Sequence, residues 1–570
     1  MSQTKVQQGK TMNLFRILMG VVVMAGSAHA QLTVEKKITV DKNVPDNGVL
    51  RSGFTWSGAG LATVDSVSVS LNLSSPFTSN PIDLSDLSGS IRHGLTGESG
   101  ARVGSLFSAG QMNSMSQTFT QAASLDGSWL PSNYWRLDLA DGQGGGIAQL
   151  EDFTFSVTGT AATSGTLDVG AGGVIKAATA GTQAMGGASS SGTGANAVAL
   201  DAVSGATLQL NQGLSGAGDF NKQGDGVVRL SSAASGFSGT VKVNSGEVEV
   251  ANSAALGSGS LSLASGAALR VASGVTLSNA VAITGTNKAT LAGGATNTDV
   301  STVSGPITGT GGIDKTGSGT VVITGTNNNF TGATDISEGK LVVNGDISSS
   351  SKVMVEAGGT LGGSGKVGAL EVASGGTLAV GNSPGTLIAG NTTWAGGASL
   401  AWEVDDSTGN QAPGGTTVFG QGTSWDFLDV TGTLNITATS GSKFIIDVIS
   451  LLNGTNTGGA ADGFAPGTDY SFAIATASGG LQIGGFGLGQ GSYTDLAAFN
   501  AALSSIFDIN TGSFANNLGS DALWSISTSS GGTSLLLSYS GSATAIPEPS
   551  VASMFVLGLS ALLAKRRRRA

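Results

Sequence analysis

The chain contains no cysteine. Disulfides therefore do not hold it together, and thiol catalysis and cysteine-ligated zinc are excluded. Histidine is almost as scarce, with two in 570 residues. His29 lies in an N-terminal leader-like segment, which leaves His93 alone in the remainder. A Ser-His-Asp relay needs a histidine beside a placed serine, and no G-x-S-x-G elbow supplies one. Charged residues are only 11% and proline only 10 residues, while hydrophobic residues reach 39% and glycine 92. Disordered chains are apolar-poor and charge-rich, so that class is excluded. Many short strands separated by glycine turns give this balance.

Basic residues are few and sit at the ends. Lys5, Lys10 and Arg16 open the chain, and Lys565 with Arg566, Arg567, Arg568 and Arg569 closes it. Setting these and Glu548 aside leaves 18 basic against 36 acidic residues, a net charge of −18. Nucleic acid is excluded as a partner, because phosphate binding needs clustered Lys and Arg. Glycine-rich stretches such as GQGGG are turn material, since no G-K-[ST] follows to hold a phosphate.

From Met12 the chain reads MNLFRILMGVVVMAGSAHAQ: a basic Arg16, an apolar core, then Ala28 and Ala30. This pattern predicts a secretory signal over residues 1–30, cleaved between Ala30 and Gln31. The other end reads IPEPSVASMFVLGLSALLAKRRRRA. Its apolar run, Val551 to Ala564, would reach about 21 Å as a helix, short of a bilayer core of about 30 Å. The arginines stay cytoplasmic by the positive-inside rule, which implies transient insertion of the tail in the inner membrane. Pro547-Glu548-Pro549, the short apolar run and the Arg566–Arg569 block together resemble a PEP-CTERM sorting signal over residues 546–570. That resemblance implies recognition and tail removal by an exosortase-type protease, and delivery to the surface or matrix of a Gram-negative-type cell.

Between these ends the text changes character twice. Residues 31–160 hold Trp56, Trp129 and Trp135 and a clear alternation in VDSVSVSLNLSS, with Val67, Val69, Leu71 and Leu73 on one face. YWRLDLADGQGGGIAQLEDFTFSVTG reads as two strands around a glycine turn. An antiparallel sandwich is expected. VPDNGVLRSGFTWSG and GSWLPSNYWRLDLADGQGGGIAQLEDFTFSV are similar to the P domain of proprotein convertases, a jelly-roll module. Its central segment has no clear counterpart in this chain. Members of that family sometimes bind calcium, for which Asp46, Asp138 and Asp141 are the candidate oxygen donors; turn formation by Asp beside Gly accounts for the same residues, and no cofactor is expected.

Residues 161–400 are repetitive. Leu214–Val250 aligns without a gap to Ile307–Val343, with Lys222/Lys315 and Phe237/Phe330 among ten identities in 37 positions. A shorter unit recurs near every 20 residues: SGEVEV, SGAALRV, EGKLVV, SGGTLAV. A short alternating strand per unit at that period predicts a parallel β-helix solenoid. The pattern G-x-G-x-x-x-K-x-G-x-G-x-V, then F-[ST]-G and G-x-[VL]-x-V, resembles the autotransporter-associated β-strand repeat. The chain's end, KRRRRA, is unlike the aromatic-ended membrane barrel of an autotransporter. Residues 401–545 are strand-rich, with a helix expected over Thr494–Phe507, and read as a β-rich cap.

The expected fold is thus all-β: an N-terminal antiparallel sandwich, jelly-roll-like, then a parallel β-helix solenoid with a β-rich C-terminal cap. The expected role is a non-catalytic surface or matrix protein with the solenoid as a rigid spacer, contacting exopolysaccharide or other matrix components. Acids in the repeats are unmatched, since Asp219 aligns with Gly312 and Asp225 with Ser318, and paired carboxylates are what glycoside hydrolysis requires. The rival readings are a secreted β-helix carbohydrate-active enzyme and an adhesin with a specific glycan ligand.

Overall fold

The computed structural model describes residues 31–43, 49–55, 64–74, 87–94, 101–107, 116–125, 134–141, 149–160, 162–234, 236–408, 421–519 and 523–541. The signal residues Ala28 and Ala30, the donor Asp46 and the sorting residues Pro547, Glu548, Pro549 and Arg566–Arg569 lie outside them. The chain forms two compact units, Met1–Gln212 and Gly213–Ala570.

In the first unit the strands are β1 (Gln31–Asn43), β2 (Val49–Thr55), β3 (Val64–Ser74), β4 (Leu87–Gly94), β5 (Ala101–Phe107), β6 (Ser116–Leu125), β7 (Tyr134–Asp141) and β8 (Gln149–Thr160). They build two antiparallel sheets, ordered β6-β3-β8-β1 and β2-β7-β4-β5. The period-2 pattern of β3 sets its buried face: Val67, Val69, Leu71 and Leu73 are all at most 3% exposed. Phe153, Phe155 and Val157 of β8 lie in register beside Leu71, Val69 and Val67 and are equally buried. The glycine-rich stretch between β7 and β8 does not close a hairpin. The two strands belong to different sheets, so the chain changes sheet there.

β1 has a second partner. Its free edge pairs antiparallel with β10 (Gly173–Ala177), setting Leu32 against Ala177 and Val34 against Ile175. From β10 on, pairing turns parallel: to β13 (Val198–Ala202), and from β11 (Gly181–Met185) to β14 (Ala206–Leu210). β9 (Thr166–Asp168) likewise pairs parallel with β12 (Gly187–Ser189). One strand therefore joins the antiparallel sheet to the first coils, and it covers an edge that would otherwise be open.

The second unit is a parallel solenoid of four ladders. The first holds Phe220–Gln223, Thr240–Val243, Ser260–Leu263, Val281–Ile283 and Ile307–Gly309. The second runs from Val227–Leu230 to Leu481–Ile483, the third from Thr276–Leu277 to Phe507–Ser513, and the fourth from Asp346–Ile347 to Tyr470–Ala477. Inward side chains stack in columns. In the third ladder Val321, Leu341, Leu361, Leu378, Leu400 and Ile446 lie one over another, and none is more than 1% exposed. Each such side chain contributes about 1.5–3 kcal/mol by burial, a gain that only stacked coils can realise.

Parallel pairing continues past residue 400 into the segment read as a cap. Ser399–Val404 pairs with Phe444–Ser450, and that strand pairs with Phe507–Ser513. Antiparallel closure comes only at the end. Ser534–Ser540 pairs with Tyr470–Ala477 and with Leu523–Thr528, and Leu481–Ile483 turns back onto Phe486–Gly487. The helix α1 (Leu496–Ile506) is capped by Asp495, which accepts from the Ala498 amide, and it buries Phe499, Leu503 and Ile506. Among the described residues no helix is long and apolar enough to cross a membrane.

Candidate functional site

The repeat lysines are charged groups buried inside the solenoid. Lys222 and Lys315 are both 0% exposed. Lys222 Nζ donates to the carbonyls of Gln223, Gly224 and Ser245 at 2.8, 2.6 and 3.0 Å. Lys315 Nζ donates to those of Thr316, Gly317 and Glu338 at 3.1, 2.8 and 2.9 Å. An ammonium has three donors, and all three are used. Burial pushes the Lys315 amine down to about 8, against the opposing pull of Glu338 and Asp314. The glycines of the motif make this geometry: a Cβ on Gly246 would lie 2.5 Å from the Gly224 and Gly226 carbonyls and 2.7 Å from Lys222 Nζ. These lysines hold corners, and their chemistry is spent on backbone.

The strongest candidate for acid-base chemistry is Asp426. It is 1% exposed. Its Oδ1 accepts from the Gly385 amide and its Oδ2 from the Glu403 amide, each at 3.0 Å. Its carbonyl accepts from Trp402 Nε1 at 2.9 Å. Ser383 Oγ hydrogen-bonds the Glu403 carboxylate. Burial, with the nearby Glu403 carboxylate second, pushes Asp426 well above the usual carboxylate range, while the two amides work the other way. A paired, perturbed acid is what a catalytic site uses. Here, however, both oxygens are tied to backbone and the group is closed to solvent. Asp405, 4% exposed, accepts from the Gly454 amide at 3.0 Å and is also raised, chiefly by burial.

An open groove of about 540 Å³ lies at the far end of the solenoid. Its walls are Thr437–Thr439, the hairpin tip at Phe486, the Gly491–Tyr493 loop and the last turns of α1. No charged side chain lines it. Phe486 is 54% exposed. The groove was not legible in the sequence, since Thr437–Thr439 stand more than forty residues before the rest of its wall, which runs from Ile483 to Ile506.

Of the sequence-derived sites, Gln31 is the first residue of β1. Asp138 lies in β7, 9% exposed, in register with Arg51 and Ser90. Asp141 ends the same strand. Among the described residues no three His, Asp or Glu side chains are grouped to hold a metal. His93 faces Trp135 in the backbone register of β4 and β7.

Comparison with known proteins bears on the corners. The family Passenger-associated-transport-repeat matches residues 220–250 and 313–343. Two autotransporter-type passenger repeats are present. Each matched passenger repeat opens on the strand that carries the buried lysine and closes on a strand of the next coil. An "Extracellular serine protease" of Serratia marcescens is 41% identical over 81 residues, which is 14% of this chain and 8% of that protein. The match thus spans a small fraction of that relative's length. The crystal structure of a serine protease of Aeromonas sobria aligns at 16% identity over 22% of this chain and 27% of that one, with a TM-score of 0.16.

Proposed function

We propose that this is an exported, non-catalytic surface or extracellular-matrix protein whose solenoid is a rigid spacer. The observation that carries the reading is the use of the passenger-repeat residues: Lys222 and Lys315 are consumed in holding corners between stacked coils. Asp426, the most perturbed acid, is likewise consumed as a backbone staple. Export is supported by the repeat type and by a matched protein whose name places it outside the cell.

Delivery in this account runs through the PEP-CTERM-like tail. An exosortase-type protease recognises Pro547-Glu548-Pro549, and the apolar run and arginines hold the chain in the inner membrane until the tail is removed. The N-terminal sheets, read as a P-domain-like jelly roll, are a recognition module. Replacing Pro547–Pro549 in a tagged chain tests the delivery step. Tail retention and loss of surface exposure are expected. Unchanged processing and surface delivery would remove the sorting step from the account.

A further inference from the structure

We infer that the groove beside α1 binds an uncharged polysaccharide chain. A pyranose ring presents an apolar C–H face and a rim of hydroxyls. A site for it needs an aromatic surface held in place, hydroxyl or amide partners around it, and no unpaired charge to bury.

The groove has each of these. Phe486 keeps a ring 54% exposed at the hairpin tip. That ring is seated over the backbone of Gly491, which has φ +56° and where an added Cβ would lie 3.1 Å from the ring. A side chain at this position would press on the ring by a few tenths of an ångström, so one face of the ring rests against the Gly491 backbone and the rest is open. Tyr493 stands edge-on to the buried Phe499 with centroids 5.5 Å apart. Its loop is pinned by the Gly489 amide donating to the Tyr493 carbonyl at 2.7 Å. Thr437, Thr439, Ser492, Tyr493 and Ser505 are among its lining residues; the Thr437 and Ser505 hydroxyls donate to the Trp394 and Ala502 carbonyls at 3.3 and 2.7 Å and keep acceptor capacity, while that of Thr439 accepts from the Ser442 amide at 3.1 Å and keeps its O–H. A volume of about 540 Å³ lies within the usual range for ligand clefts.

The choice of an uncharged chain rests on charge. No Lys or Arg lines the groove, so an anionic polymer would find no charge-assisted partner. The protein's net charge of −11 opposes its approach as well. Biologically the inference rests on the proposed surface or matrix location, but binding is measured on the purified protein and stands or falls separately.

The test is affinity electrophoresis of the full chain through gels containing dextran, laminarin, xyloglucan or alginate. Retardation by at least one of the three neutral polymers and none by alginate is expected. Phe486→Ala and Tyr493→Ala should each weaken that retardation at least tenfold. Leu523→Ala, which removes a side chain 70% exposed elsewhere, should leave it unchanged. Passage unretarded through all three neutral gels overturns the inference. So does retardation by alginate alone, or full affinity in both aromatic variants. Light scattering is run alongside: a dimer that Phe486→Ala converts to monomer would assign the groove to a second copy of the chain instead. Loss of glucan binding with intact surface delivery removes the groove and leaves the spacer; the reverse result removes the location and leaves the groove.

Discussion

Lys222 and Lys315 make the same three-carbonyl contact on two different faces of one solenoid. Lys222 lies in the first ladder and Lys315 in the second. The shift persists along the repeat: Val228 and Val248 are in the second ladder, and their counterparts Val321 and Leu341 are in the third. The repeated sequence therefore encodes a corner, and the corner works wherever the coil phase puts it. Lys222→Met and Lys315→Met each remove a donor from three carbonyls, of which Gly224 keeps Ser245 Oγ and Thr316 keeps the Gly293 amide. Each unsatisfied buried group costs about 1–3 kcal/mol, offset by the ammonium no longer being desolvated. We expect each variant to lose about 3 kcal/mol in denaturant unfolding, and the two losses to be similar. A loss in only one would show that the corners are not equivalent.

The same corner constrains its glycines. Gly339 has φ +66°, and a Cβ there would lie 2.4 Å from the Gly317 carbonyl. Gly339→Ala combines a left-handed backbone, unfavourable by about 1–2 kcal/mol, with a backbone clash. It should destabilise more than Gly358→Ala, where φ is +87° but nothing lies within 4 Å of the added Cβ. Equal melting temperatures for the two variants would contradict the contact.

Lys315 also gives a pH signature. Its amine is held at about 8 by burial, against about 10.4 in an unfolded chain. Between those values the unfolded chain binds more protons, so stability rises with pH. The difference between wild type and Lys315→Met should be constant below pH about 8 and shift in favour of wild type up to about 10.4. A flat difference across that window would mean the amine titrates normally.

Asp426 has the opposite sign. Its carboxyl is raised by burial and by Glu403, so the folded chain binds more protons above the ordinary carboxylate value. Its contribution to stability falls as pH rises from about 4 through the raised value. Relative to Asp426→Asn, wild type should gain stability on acidification from neutral pH towards 4. No change in the difference, or a change in the other direction, would show an ordinary ionised carboxylate.

Much of this was legible in the sequence. Alternation placed Val67, Val69, Leu71 and Leu73 on one buried face of β3, and the period near 20 located the coils. The helix expected over Thr494–Phe507 is α1. The two-face placement of the lysines was not legible, because a gapless alignment reports local pattern and not coil phase. The continuation of the solenoid was hidden by long insertions: Leu400 stacks on Ile446, a step more than twice the period. Nothing in the sequence marks Asp426 as a buried acid, because its partners Gly385 and Glu403 are brought to it by separate coils.

The central claim is that the exported part works by architecture and not by turnover. The most direct measurement incubates the purified full chain with dextran, laminarin, xyloglucan, alginate and casein, and follows reducing ends, unsaturated sugar products and released peptides. The account predicts no product above the protein-free control with any of them. Product formation that Asp426→Asn abolishes, while the variant stays folded, would contradict it and make the Asp426–Glu403 cluster a catalytic site.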